Sequence, residues 1–339
     1  MHTDTLQGHA ARTGLLSLPV SQVNIISEHT APFQADVFAF GWSLVPTLTG
    51  FGINTWVPPV YSAQDIFEIV NQSEIDRQSI SARHLGLVCG EDSDQVSEVI
   101  RGMKLSRSLG GVWLHTPHGL TQAGLDAVKR LRQELGRNVT VQVGPLWDLD
   151  QAELAQQAGA GSIVLDCSDS ATSLGSLSVI RQARERMSDT NLVAAGITDI
   201  NQEHLALAAG ADQIMLRKLL WSVTESDMDI HEITTQLDEL TVRTRQTSGQ
   251  QETMSWPKQR IELYKEIDLN DPFFSCTQPT DRRPDDSDDL EPDIQRVVYT
   301  GDAQPVIGDR MAACQLYFAD LGAADIAVLH HHTTCISRL

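Results

Sequence analysis

The stretch VQVGPLWDLDQAELAQQAGAGSIVLD, residues 141–166, decides the fold. It begins and ends in short apolar runs, which belong to Val139–Val143 and Ser162–Asp166. Nearly continuous apolar runs of this length are typical of parallel strands that are covered on both faces. The segment between them has the length of a helix, and the turn Ala158–Gly161 contains glycines that allow the left-handed residue with which helices commonly end. The stretch therefore predicts a strand, a helix and a second, parallel strand.

The same alternation recurs from about residue 35 to residue 217. Amphipathic segments such as Leu125–Leu135 and Leu177–Met187 carry apolar residues at steps of three and four, as helices do. Eight strand-then-helix units predict an α/β fold of the closed (β/α)8 TIM barrel type. An open, doubly wound sheet is the alternative, but no glycine-rich dinucleotide fingerprint follows any of the runs. The eight runs are Val37–Phe40, Ile53–Val57, Leu85–Cys89, Gly111–His115, Val139–Val143, Ser162–Asp166, Leu192–Ala195 and Gln213–Leu216.

The domain organisation that follows is a single barrel over residues 35–339, preceded by an N-terminal extension over residues 1–34. Residues 230–246 are predicted to form a helix. A mobile acidic flap is predicted at about residues 268–295, because Asp281–Asp293 contains seven acidic residues and two prolines. A helix over Val306–Leu321 and a threonine-rich terminal strand are predicted to close the barrel.

Charge and composition exclude several kinds of partner. Lys and Arg number 25 against 45 Asp and Glu, which gives a formal net charge of -20. A surface this acidic repels phosphate backbones, so we expect no nucleic-acid partner. No apolar run reaches the roughly 18 residues of a membrane helix, and the first residues lack an apolar signal core, so we expect no membrane partner and a cytoplasmic location.

The cysteines favour neither a disulfide framework nor a metal site. The chain has five, and they are widely spaced with no CxxC pair, so we predict no bound metal. They are Cys89, Cys167, Cys276, Cys314 and Cys335.

Three blocks of sequence resemble the IMP dehydrogenase/GMP reductase family. The first runs from residue 141 to residue 216 and ends in LVAAGITDINQEHLALAAGADQIML. The second is the tail VVYTGDAQPVIGDRMAACQLYFADLGAADIAVLHHHTTCISRL, and the third is TWVPPVYSAQDIFEIV at residues 55–70. The resemblance covers about residues 50–339, and the length is similar to that of GMP reductases. It implies a nicotinamide-dependent oxidoreductase that acts on a purine nucleotide, with NADPH or NAD as cofactor, and a ring-like homotetramer.

The resemblance also implies catalytic residues. The family presents a nucleophilic cysteine after the sixth strand, and here Cys167 lies in the shortened loop Asp166–Ser170. Glu291 lies ten residues before Gly301, the spacing of the family's acid–base glutamate. The alternatives are an inert thiol beside acidic neighbours, which disfavour a thiolate, and one carboxylate among the seven of the flap.

Cofactor and phosphate contacts carry over only in altered form. The family's signature near the nicotinamide reads His115-Thr116-Pro117-His118-Gly119 here, so His115, His118 and Gly119 are predicted to contact the cofactor. A structural role for the two histidines is the alternative. Six further residues are predicted to contact the ligand or its phosphate. Two of them, Arg217 and Lys218, replace a glycine pair of the family. The alternative for these two cations is a surface ion pair or side chains that fill the pocket. The six are Gly144, Ser168, Ser170, Gly196, Arg217 and Lys218.

Three functions remain open at this point. One is an oxidoreductase acting on a purine nucleotide or a modified relative. Another is a non-catalytic barrel that assembles, as partner or regulatory subunit, with an active paralogue and binds no cofactor. The third is a repurposed enzyme that takes a different small ligand in the same pocket.

Overall fold

A computed structural model describes residues 35–38, 44–57, 84–106, 109–167, 173–197, 200–216, 220–226, 230–243, 253–268 and 294–336. Eight short strands in the first two thirds of the chain form one parallel sheet. The residues of the last seven of these strands are largely apolar and buried, as strands covered on both faces require. The strands are β1 Ala35–Phe38, β2 Asn54–Val57, β3 Leu85–Cys89, β4 Gly111–His115, β5 Thr140–Leu146, β6 Ser162–Asp166, β7 Asn191–Ala195 and β8 Gln213–Leu216.

The strands follow one another in chain order, and the sheet curls. Each strand pairs in parallel with the next, and β1 pairs with β8 as well as with β2. Helices separate consecutive strands in most of the described connections. The predicted α/β class, with a barrel-like parallel sheet that alternates with helices, is confirmed.

The helices begin and end where local side chains satisfy free backbone groups. The first two helices are α1 Leu44–Gly50 and α2 Ser93–Leu105. The Asp92 side chain caps α2 by accepting from the backbone N–H groups of Asp94 and Gln95. Gly159 ends its helix at φ 111°, in the left-handed region that favours glycine. The remaining helices are α3 Gln122–Leu135, α4 Leu149–Ala158, α5 Ser173–Arg186, α6 Ile200–Ala209, α7 Ala303–Asp320 and α8 Ile326–Ile336.

Aromatic rings fill the middle of the sheet's concave side. Trp56 and Trp113 are each 3% exposed, and their rings meet edge to face at 6.0 Å between centroids. The Trp56 ring lies so close to two neighbouring strands that a Cβ added to Gly86 or Gly111 would fall 2.3 or 3.0 Å from its atoms. Glycine at those two positions therefore makes room for the indole.

The chain after β8 departs from the sequence prediction. Residues 230–243 form strand β9 and not the predicted helix. This strand pairs antiparallel with β10, Thr253–Asp268, which in turn pairs with β11, Ile294–Val298. Ile, Thr and Val are frequent in this segment, and β-branched side chains favour strands.

The C-terminal segment is helical. The predicted closing helix is present as α7, which packs against α1 and α6. The predicted terminal strand is wrong, because residues 326–336 form α8, which packs against α6. The predicted extension over residues 1–34 lies outside the described residues, as does the flap apart from its two ends, where β10 ends and β11 begins. No helix in the described part of the chain is long and apolar enough to cross a membrane.

Candidate functional site at the carboxyl ends of the strands

Several predicted site residues meet at the edge of the sheet where the strands end. His115 is the last residue of β4, Cys167 directly follows β6, and Gly196 directly follows β7. Backbone hydrogen bonds join these strand ends: the Thr116 N–H donates to the Gly144 carbonyl at 3.0 Å, and the Cys167 N–H donates to the Ala195 carbonyl at 2.9 Å. Parallel α/β proteins place their ligands at this edge.

Cys167 is buried in this edge. Its thiol donates to the Leu165 carbonyl at 3.6 Å, and the residue is 9% exposed. Burial, and next the negative charge of Asp166, raise the pKa of the Cys167 thiol to about 12. Since the thiolate is the nucleophilic form, this environment opposes the predicted attack on a substrate.

His115 belongs to a rigid aromatic pair. It is 7% exposed, and its ring meets that of Trp113 edge to face, with 5.3 Å between centroids and 85° between planes. The indole N–H of Trp113 donates to the Gly144 carbonyl at 2.8 Å. Trp113 therefore joins β4 to β5 through its side chain, and the His115 ring packs against it.

Gly144 has a structural reason for being glycine. Its φ of 137° is disfavoured for other residues, and an added Cβ would lie 2.5 Å from the Val164 carbonyl oxygen of β6. Contact with the neighbouring strand therefore accounts for this glycine without a ligand. Gly196, with φ 79°, makes the left-handed turn that leaves β7.

The loops after β4 and after β5 meet at the rim. Gly119 is buried at φ 87°, and its position lies against the side chains of Gln151 and Trp147. Gln151 fixes this loop by accepting from the Leu120 N–H at 2.9 Å. His118 is exposed at the same loop, and Trp147 leaves half of its surface, 50%, in contact with solvent.

Trp147 did not figure in the sequence prediction. The available signal was its position one residue after the apolar end of β5, in GPLWD. A large aromatic residue directly after a parallel strand falls at the ligand-binding edge of such a sheet. An exposed tryptophan there is a surface on which a planar ring can stack.

Comparison with known proteins gives no assignment. No family model matches the chain. A search of curated proteins also finds no match. The resemblance to IMP dehydrogenase and GMP reductase therefore stays a prediction.

The remaining predicted contacts lie outside the described residues. They are Glu291, Ser168, Ser170, Arg217 and Lys218. Within the residues that the structure describes, no three His, Cys, Asp or Glu side chains are grouped in a way that could hold a metal ion.

Proposed function

We propose that this chain is a (β/α)8 barrel of the TIM type that binds a purine nucleotide, or a related ligand with a planar ring, without forming a covalent bond through Cys167. The environment of the Cys167 thiol carries the proposal. Ligand binding at the strand ends fits the fold, and the buried thiol does not fit the covalent chemistry that the family resemblance implies.

The argument against covalent chemistry rests on the ionisation of the thiol. With a pKa of about 12, the fraction of Cys167 present as thiolate at pH 8 is roughly one in ten thousand. Neighbouring Asp166 adds to this effect by repelling the negative charge. A catalytic cysteine is activated by a nearby cation, a helix N-terminus or a paired base, and burial beside Asp166 acts in the opposite direction.

The argument for a planar ligand rests on the rim. Trp147 and His118 are exposed beside Gly119, and a ring that stacks on the indole would bury apolar surface on both partners. A nicotinamide would stack on the same surface, with His115 as a proposed contact by resemblance to the family, and when bound NADPH or NAD would supply hydride chemistry. Ser168, Ser170, Gly196, Arg217 and Lys218 are the proposed contacts of the nucleotide's phosphate, by resemblance to the family.

A binding site whose cysteine is buried and has a raised pKa suits a partner or regulatory subunit. Such a subunit would assemble with an active paralogue or with copies of itself, and it would respond to the nucleotide without converting it. This is the role that we propose in preference to an active oxidoreductase.

Thermal melting with IMP, XMP and GMP, each with and without NADPH or NAD, tests the binding. A ligand at a hundredfold excess over its Kd stabilises the folded state by about 2.7 kcal/mol. We expect a shift with at least one nucleotide, and we expect Trp147→Ala to remove most of it. Leu154→Ala is the matched control, because Leu154 is 47% exposed on α4. Absence of a shift with every nucleotide would refute the purine-nucleotide proposal.

A separate measurement tests the absence of covalent chemistry. Intact-mass spectrometry after incubation with each nucleotide and NADPH or NAD should show no adduct, and Cys167→Ala should keep the thermal shift. Cys314→Ala is the control, because burial raises the pKa of that α7 thiol to about 12 as well. A nucleotide adduct that Cys167→Ala abolishes and Cys314→Ala retains would show that Cys167 is a nucleophile after all.

A further inference from the structure

A cavity lies at the end of the sheet opposite the candidate site, where the strands begin. Its volume is about 300 Å³, at the lower end of the range of small-molecule sites. The first residues of several strands line it, among them Asn54 of β2, Asn191 of β7 and Gln213 of β8. Its rim reaches solvent at Arg137 and Thr140, which are exposed.

The charge of this cavity is opposite to that of the protein. Its described lining includes the guanidinium groups of Arg132 and Arg137, and no Asp or Glu. The chain as a whole carries a formal net charge of -20. Burial, and next the charge of Arg137, lower the pKa of Arg132, so the two guanidinium groups repel each other across the cavity. A bound anion would relieve that repulsion.

Arg132 belongs to a structural motif that the chain contains twice. Its Nε donates to the Gly159 carbonyl at 2.8 Å, and its Nη1 donates to the carbonyls of Gly136 and Val139 at 2.9 and 3.1 Å. These bonds hold the end of α3 against the turn before β6. The third guanidinium nitrogen of Arg132, Nη2, takes no part in these three bonds.

Arg184 on α5 repeats the arrangement one repeat further along the chain. Its Nε donates to the Gly210 carbonyl at 2.9 Å, and its Nη1 donates to the carbonyls of Ser188 and Thr190 at 3.0 Å each. Here the Nη2 forms an ion pair with Asp212, just before β8. The second copy of the motif therefore contains its own carboxylate.

Gly161 takes the place of Asp212 in the first copy. The Gly161 N–H donates to Val141, the second residue of β5, as the Asp212 N–H donates to Leu192, the second residue of β7. A Cβ on Gly161 would lie 3.4 Å from the Arg132 Nη2. The first copy therefore has no carboxylate at the position of Asp212. Arg132 and Gly161 line the cavity there instead.

A buried amide donor lines the same cavity. Gln142 is 1% exposed, and its Oε1 accepts from the Ser162 hydroxyl at 2.9 Å. Its Nε2 is buried and has no hydrogen-bond partner among the described residues. An unsatisfied buried donor costs about 1–3 kcal/mol, and a bound acceptor would remove that cost.

We propose that this cavity binds the phosphate or carboxylate group of a small molecule, with Arg132, Arg137 and Gln142 as its donors. Arginine suits both groups because its planar fork matches their oxygens with parallel hydrogen bonds. The site lies at the end of the sheet opposite to the proposed nucleotide site, so the two can be tested separately.

Calorimetric titration at constant ionic strength tests the site, with inorganic phosphate and succinate as the two probes. The decisive variant is Gly161→Asp, which restores the carboxylate of the other copy; the Gly161 backbone does not lie in the left-handed region. We expect Gly161→Asp to weaken binding of the preferred probe at least tenfold and to raise the melting temperature in anion-free buffer. We also expect Arg137→Gln, at an exposed position, to weaken binding at least tenfold.

Arg130→Gln is the matched control. Arg130 is a neighbouring arginine of α3 that donates to the Ser97 hydroxyl at 2.8 Å and does not line the cavity. We expect this variant to bind the probe as the unmodified protein does. Preference for phosphate or for succinate identifies which of the two groups the site takes.

Three results would overturn the proposal. One is an absence of binding of either probe, which would make the cavity a polar space filled by water. Another is binding that Gly161→Asp leaves unchanged. Binding that Trp147→Ala removes and Gly161→Asp retains would belong to the opposite end of the sheet and would equally refute this site.

Discussion

Replacement of Gly144 by alanine tests whether packing alone requires glycine in β5. At φ 137° a Cβ is strained, and it would lie 2.5 Å from the Val164 carbonyl oxygen and 2.8 Å from the Val164 Cβ. A sparsely populated backbone conformation costs about 1–3 kcal/mol, and overpacking of a filled site costs a further 1–3 kcal/mol or so. We therefore expect Gly144→Ala to lower the free energy of unfolding by about 2–6 kcal/mol.

Urea denaturation followed by circular dichroism measures this change. Gly308→Ala is the control, because Gly308 lies within α7 and an added Cβ would meet nothing within 4 Å. There alanine should raise the free energy of unfolding by about 0.5–1 kcal/mol, since glycine weakens a helix interior by that amount. The opposite signs of the two variants separate local packing from a general effect of the added methyl group.

One result would refute this reasoning. If Gly144→Ala changed the free energy of unfolding by less than about 0.5 kcal/mol, the range of neutral surface substitutions, the close contact with β6 would not exist. If the variant were stable but lost the nucleotide-induced thermal shift, Gly144 would be a ligand contact, as the family resemblance implies.

Two further predictions concern stability. Burial lowers the pKa of His330 below its ordinary 6.5, so the unfolded chain binds this proton more tightly and the free energy of unfolding should fall as the pH falls below about 6.5. His330→Asn should reduce that decrease between about pH 7 and 5.5, measured by urea midpoints, and an unchanged slope would contradict the assignment. Arg184→Gln should lower the free energy of unfolding by about 1–3 kcal/mol, because it removes the Asp212 ion pair and the hydrogen bonds to the Gly210 and Ser188 carbonyls. A loss no larger than that of exposed Arg181→Gln in the same measurement would refute it.

The alternating pattern made the sheet predictable from sequence. The predicted strands Leu85–Cys89, Gly111–His115 and Ser162–Asp166 match the structure residue for residue. These strands are short, apolar and bounded by turn residues, so local sequence determines where they lie. The first predicted strand, Val37–Phe40, overlaps β1 at residues 37–38 and otherwise lies outside the described residues; β1 begins two residues earlier, where Ala35 and Asp36 pair with β8.

The segment after β8 was not predictable in the same way. In Ile230–Arg243 the apolar residues recur at steps that fit a helix, but the segment pairs along its length with β10. Strand formation depends on such non-local pairing more than helix formation does. The opposite error occurs at residues 326–336. The family resemblance implied a strand there, but the residues form helix α8, which packs against α6.

The candidate site was predictable in location and less so in character. Strand order alone placed His115 and Cys167 at one edge, and the structure brings them there. The burial of the Cys167 thiol depends on side chains from several strands. A local sequence pattern cannot predict such contacts. The basic cavity was missed for the same reason, because its lining comes from residues as far apart in sequence as Asn54 and Gln213.

The layer of Trp56 and Trp113 has a consequence for what the cavity at the strand starts can hold. Both rings are almost fully buried, and the Trp56 ring fills the space above Gly86 and Gly111. Trp56, Gly86 and Gly111 also line that cavity, so the indole forms one of its walls. A side chain added at either glycine would displace the ring, and the volume available to a ligand would change with it.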